Sequence, residues 1–157
     1  MFSTQTRIGG NLMGLSIGFY NTNENKEARL HYNYHGIHIL RDYALSMIGI
    51  ENGKEEDPKA REEFPNLIWH SDAEGYYVGF LPSDCDGSGY EPWNGQSQLW
   101  VGSVEGLYKE LQKVQRHMLK NEYEGEAKGI LLDFLKAFAD IEYDPDENSR
   151  YTVVIFS

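Results

Sequence analysis

Residues 103 to 141 hold two consecutive stretches of helical apolar period joined by a short hinge, and this block limits most strongly what the chain can become. Leu107, Leu111, Val114 and Met118 recur at i, i+4, i+7 and i+11, one stripe about one hundred degrees wide. Ser103 stands where a helix cap belongs, and Lys109, Glu110 and Lys113 are expected on the outer face. A second helix is predicted from Gly125 to Ile141, presenting Ile130, Leu131, Phe134, Leu135 and Phe138. The hinge from Asn121 to Gly125 is short enough to make the two an antiparallel pair.

Strand signals surround that pair. Gly14 to Tyr20 alternates Leu15, Ile17 and Phe19 with small residues, and the polar run NTNENKE turns it into a second strand, Ala28 to Tyr34. Ile37, Leu40, Ala44, Met47 and Ile48 predict a first helix over Gly36 to Ile50, with Gly49 as its stop signal. Glu51 to Phe64 is charged and almost without apolar residues, which predicts a surface connection with one short helical turn and no share in the core. Short strands are expected at Leu67 to Trp69, Tyr76 to Leu81 and Gln98 to Gly102, with an irregular loop from Pro82 to Gln96. After the turn from Tyr143 to Asn148, Tyr151 to Phe156 reads as a terminal strand.

The order β-β-α-β-β-β-α-α-β defines an α+β fold, an antiparallel or mixed sheet with about three helices packed mainly on one face. At 157 residues the chain suits one domain with an ordinary core. Residues 1–12 are polar and without period and are expected to form a flexible arm before a single domain over 13–157. No apolar run approaches the roughly 20 residues of a spanning helix, and the start lacks a basic and then apolar leader. A soluble cytoplasmic protein is expected.

Fourteen basic against twenty-five acidic residues give a formal charge of −11. Such a chain repels nucleic-acid phosphates and anionic lipid, so neither direct nucleic-acid binding nor membrane binding is expected. The acidity serves solubility, or imitates nucleic acid in a partner's basic groove. The single cysteine, Cys85, excludes an internal disulfide and a multi-cysteine zinc site. Its acidic neighbours disfavour the thiolate, so it reads as non-catalytic.

Functional residue types concentrate between Asn66 and Ser103, which hold all three tryptophans, Trp69, Trp93 and Trp100, together with Tyr76, Tyr77 and Tyr90. Rings beside glycine-rich polar turns make an adaptable contact surface, and Trp93, between Pro92 and Asn94, is the best candidate for exposure. Asp84 and Asp86 followed by Gly87 resemble part of a calcium loop. The EF-hand register, however, places Pro82 at the first carboxylate position and Trp93 at the bidentate one, so an unliganded turn is favoured over a calcium site. Two of His31, His35 and His38 could share one face as metal ligands if the helix began early enough, but the expected strand-to-helix boundary between Tyr34 and Gly36 breaks that geometry and favours a surface or helix-start histidine cluster. His70, Ser71 and Asp72 are immediate neighbours and cannot form a nucleophilic triad. His70 with Asp72 and Glu74 is the alternative acid–base site, set against an Asx-type turn closed by His70. The Gly102-Ser103 step lacks a P-loop lysine and reads as ordinary capping.

Three segments, Met13 to Tyr20 (MGLSIGFY), Tyr34 to Arg41 (YHGIHILR) and His70 to Gly75 (HSDAEG), resemble a group of small uncharacterised bacterial and phage proteins. That group carries cysteine and aspartate where Ala73 and Glu74 stand here, so the resemblance implies no thiol chemistry at this turn. It implies a mobile-element or accessory setting and no activity.

The reading is a non-enzymatic acidic protein–protein interaction module, of phage or bacterial inhibitor or immunity type. It requires no cofactor and binds a protein partner through Trp69, Asp72, Glu74, Tyr76, Asp84, Asp86, Tyr90 and Trp93. Two alternatives stand beside it. One is a small-ligand- or metal-dependent enzyme using His70, Asp72 and Glu74, with His35 or His38 brought near by folding. The other is a homo-oligomeric structural protein whose seam is the helix pair or an edge strand at Tyr151 to Phe156.

Overall fold

The computed structural model describes residues 14–54, 57–67, 75–78, 89–93 and 96–156, and the side chains of 16–31, 38–54, 57–67 and 102–155. Strands β1 (Gly14–Asn21) and β2 (Lys26–Asn33) form the expected hairpin, paired from Gly14 opposite Asn33 to Asn21 opposite Lys26. The Asn21 side chain fixes its turn by accepting from the backbone N–H groups of Asn23 at 3.1 Å and Glu24 at 3.3 Å. Helix α1 (Tyr34–Met47) follows β2 at once, two residues earlier than its period suggested. Gly49 ends it at φ +75°, the left-handed conformation that glycine adopts without penalty.

The charged connection contains the short helix α2 (Pro58–Glu63), capped by Asp57, which accepts from the Lys59 N–H at 2.9 Å. The expectation that this segment gives nothing to the core is corrected. Ala60 and Phe64 are fully buried, and Lys113 reaches over the Phe64 ring while pairing with Glu63 at 2.6 Å. Two apolar residues among charges are too few to register as a pattern, yet a full aromatic burial contributes roughly 1.5–3 kcal/mol.

Strands β3 (Gly75–Val78), β4 (Gly89–Trp93) and β5 (Gln96–Ser103) follow, then α3 (Val104–Lys120), α4 (Glu126–Asp140) and β6 (Thr152–Phe156). The six strands form one mixed sheet in the order β2-β1-β6-β3-β5-β4. Only β3 and β5 run parallel; the other pairs are antiparallel. The fold is α+β, as expected.

Several local expectations are corrected. Residues 65–67 form a turn where a strand was expected to begin at Leu67. The loop expected over Pro82 to Gln96 contains β4, which ends at Trp93. Pro92 argued for a loop, but an edge strand tolerates proline because one side of its backbone needs no ladder partner. Tyr151 belongs to a 3-10 turn over Ser149–Tyr151, and β6 starts one residue later. Most consequentially, β6 is no edge. It lies between β1 and β3, so it cannot serve as the seam of an oligomer.

One sheet face carries Ile17, Phe19, Ala28, Leu30 and Val154, with Phe19 opposite both Ala28 and Val154. Helix α4 covers it. The Phe19 ring meets Phe134 edge-on at 6.0 Å and Phe138 at 5.2 Å. Tyr108, early in α3, meets Phe138, late in α4, at 5.0 Å, which establishes the antiparallel helix pair. The stripe Leu107, Leu111, Val114 and Met118 is buried as its period required.

Candidate functional site

The stretch from Asn66 to Ser103 enters and leaves the fold at one joint. Ser103 caps α3, its Oγ accepting from the Gly106 N–H at 3.0 Å, and its own N–H donates to Asn66 Oδ1 at 2.9 Å. Asn66 is buried, and its amide nitrogen packs so closely on Gly106 that a side chain at 106 would collide with it. The same nitrogen donates to Glu110 Oε2 at 2.7 Å. The backbone N–H of Leu67 donates to Glu110 Oε1 at 2.8 Å, and that of Asn66 lies 3.1 Å and 3.2 Å from the two carboxylate oxygens.

Glu110 was expected on the outer face of α3 and is instead buried, with 7% of its surface exposed. Burial pushes its carboxyl up to about 7, and the donors from Asn66 and Leu67 pull in the opposite direction without cancelling it. Neither Asn66 nor Glu110 was singled out by sequence. The signal existed for Glu110, which stands at i+3 from Leu107 and i−4 from Val114, inside the apolar stripe. With both oxygens occupied by N–H donors, the side chain ties down the turn over residues 65–67.

The strand register locates the remaining predicted residues. The connection containing Asp84 and Asp86 leaves β3 at Val78, level with Ser103, and returns at Gly89, level with Val101. The segment containing His70, Asp72 and Glu74 precedes Gly75, which is level with Trp100. Trp93 pairs with Gln96 at the far end of β5, after a bulge that follows Glu91. Seven steps of strand, roughly 23 Å, therefore separate the Trp93 hairpin from the level at which the Asp84 connection begins. Tyr76 lies level with Val101 and Ile155, and Tyr90 level with Trp100, so the two occupy adjacent register rows.

Trp69, His70, Asp72, Glu74, Asp84, Asp86 and Cys85 lie outside the described residues, as do the side chains of Tyr76, Tyr90 and Trp93 and the arm 1–12. The boundary between β2 and α1 falls at Asn33 and Tyr34, with His31 on the strand and both His35 and His38 on the helix. His31 is exposed and His38 half-buried. Among the described residues no group of three or more His, Cys, Asp or Glu side chains is placed to hold a metal ion. Among them, too, no helix is long and apolar enough to cross a membrane. Elsewhere, the Tyr43 hydroxyl meets His117 Nδ1 at 2.8 Å, and the Tyr43 ring leans on Tyr123 at 4.6 Å. Burial, then the neighbouring Tyr123, raises the Tyr43 phenol above its ordinary range, which leaves it a neutral structural bridge between α1 and α3.

The chain matches no protein-family model, no curated protein and no solved structure.

Proposed function

We propose that this chain is a non-enzymatic acidic interaction module that offers the β3–β5–β4 side of its sheet to a basic protein surface, in the manner of an inhibitor or immunity-type factor. The observation that carries this reading is the position of β4. It is an edge strand bearing Tyr90, Glu91 and Trp93, in a chain of net charge −11. An edge strand leaves backbone donors and acceptors on its outer side for a partner. Pro92 and the bulge limit how far such pairing runs, so side-chain contact at the hairpin carries recognition. The connection carrying Asp84 and Asp86, which leaves β3 level with Ser103 and returns at Gly89, steers a basic partner towards that edge.

The test is capture of a partner from host-cell lysate by the immobilised protein, comparing wild type with Trp93→Ala and with Asp84→Asn/Asp86→Asn. Trp93→Ala is expected to remove the captured partner. The aspartate pair is expected to slow association and sharpen its loss in salt. Capture unaltered by both variants removes this side of the sheet from consideration.

A further inference from the structure

We propose a second docking surface, independent of the sheet edge. The groove between the end of α3 and the start of α4 takes a basic amphipathic helix. One apolar side chain of that helix sits between Leu119 and Leu132, and one Lys or Arg pairs with Glu122. The groove has a volume of about 320 Å³ and is lined by Met118, Leu119, Tyr123, Leu131 and Leu132, with Glu122 and Glu124 among its polar lining. Leu119 is 67% exposed and Leu132 44% exposed. They are two of the three exposed large hydrophobic residues among those described, and both line this one groove. Single exposed leucines are ordinary on a surface, whereas two converging on a concavity mark a contact site.

The chemistry of the occupant follows from a comparison within the molecule. Helices α3 and α4 end in the same way. After α3, Tyr123 N–H donates to Met118 O at 2.9 Å, with Glu122 in the left-handed conformation at φ +51°. After α4, Tyr143 N–H donates to Phe138 O at 3.0 Å, with Glu142 at φ +57°. Glycine or asparagine is the usual residue at such a position, because a larger side chain crowds its own backbone there. Glu142 has a use for its carboxylate, an ion pair with Lys26 at 3.2 Å. Glu122 has no cation within pairing distance among the described residues, and the groove's own Lys128 is held by Glu124 at 2.8 Å. The groove therefore combines an apolar seat with an unmatched negative charge, and the complement is apolar and cationic. Two antiparallel helices with a furrow between them accept the ridge of a third helix, which favours a helical occupant. A second copy of this chain would bring another −11 charges towards an acidic rim.

The probe is a synthetic Leu/Lys amphipathic helix titrated into the whole labelled protein and followed by amide chemical shifts. A scrambled peptide of the same composition and a Leu/Glu helix serve as controls. Shifts confined to the groove are expected, with affinity reduced about tenfold by Leu132→Asp and by Glu122→Lys, and unchanged by Trp93→Ala. Leu132 and Glu122 are exposed, and circular dichroism confirms that each variant is folded. Equal binding of the scrambled peptide, or insensitivity to both groove variants, overturns the proposal as general charge attraction. Equal binding of the Leu/Glu helix overturns the role of Glu122. Self-association abolished by Leu132→Asp assigns the groove to a second copy and overturns it as well. Because Trp93 belongs only to the sheet edge, failure here leaves that reading standing, and the reverse holds.

Discussion

The two ends of α3 are built on opposite terms. At its start, Ser103, Asn66 and Glu110 satisfy one another in a closed polar joint that packs against Gly106. At its finish, the Asn121 side chain makes one exposed bond to the His117 carbonyl at 2.9 Å, and beyond it a groove stays open. The end of α4 clarifies the difference. It shares the cap geometry of α3 and much of its sequence, Glu-Tyr followed by an acid, yet its surroundings close over it. The Asn21 amide donates to the Ile141 carbonyl at 2.8 Å, and the Asn148 amide donates to the Glu142 carbonyl at 3.0 Å. Tyr143 meets Ser149 at 2.5 Å, and burial pushes its phenol up to about 12. Local sequence thus sets how a helix stops, while distant residues decide whether the stop becomes an internal joint or an open surface.

How tightly the first end of α3 is closed is read most directly from its buried glutamate. Glu110 holds its proton more firmly in the folded protein than in the unfolded chain, since burial raises it from 4.5 to about 7. The folded state therefore binds more protons across that window, and the stability this group contributes below it is lost as pH rises through it. The loss is about 3 kcal/mol by about pH 8. Urea midpoints of wild type should fall relative to those of Glu110→Gln over this interval. Parallel titration of the two proteins would mean that the joint admits water.

Next in size is a paired substitution at the asparagines of the two ends. Asn66→Ala removes a donor from a buried carboxylate and an acceptor from the Ser103 N–H, and should cost about 2–3 kcal/mol. Asn121→Ala removes one solvent-exposed bond and should cost less than about 0.5 kcal/mol. Equal losses in chemical denaturation would erase the distinction between closed and open ends.

The two left-handed caps differ by less. Glu122→Gly relieves a left-handed glutamate and should stabilise the fold by about 0.5–1 kcal/mol, a rise of roughly 1–4 °C in Tm. Glu142→Gly relieves the same strain but loses the half-exposed pair with Lys26, so its net change should lie near zero. Calorimetry on both variants separates these outcomes.

What sequence reveals here depends on how far apart the interacting residues lie. The stripe of α3, the Ser103 cap, the Gly49 stop and the β1–β2 hairpin are governed by neighbours within a few positions, and all were legible. Sheet order was not, because nothing in Thr152 to Phe156 records that β1 and β3 will lie on either side of it. Strand β4 was hidden by Gly89 and Pro92, whose local preference for loops is overridden by pairing with β5. Glu110 was misplaced because a carboxylate inside an apolar stripe reads as an interruption until its donors from residues 66 and 67 are known. Of the candidate site, the positions of Tyr76, Tyr90 and Trp93 on strands are now defined, and the register spreads them along β5.

The central place of β6 also has a consequence for biosynthesis. On the ribosome, the hairpin made of the first two strands and the three-stranded piece formed by the middle of the polypeptide emerge long before the segment that joins them. Each nascent half must wait with a bare flank, prone to sticking to other chains, until five late residues thread between them.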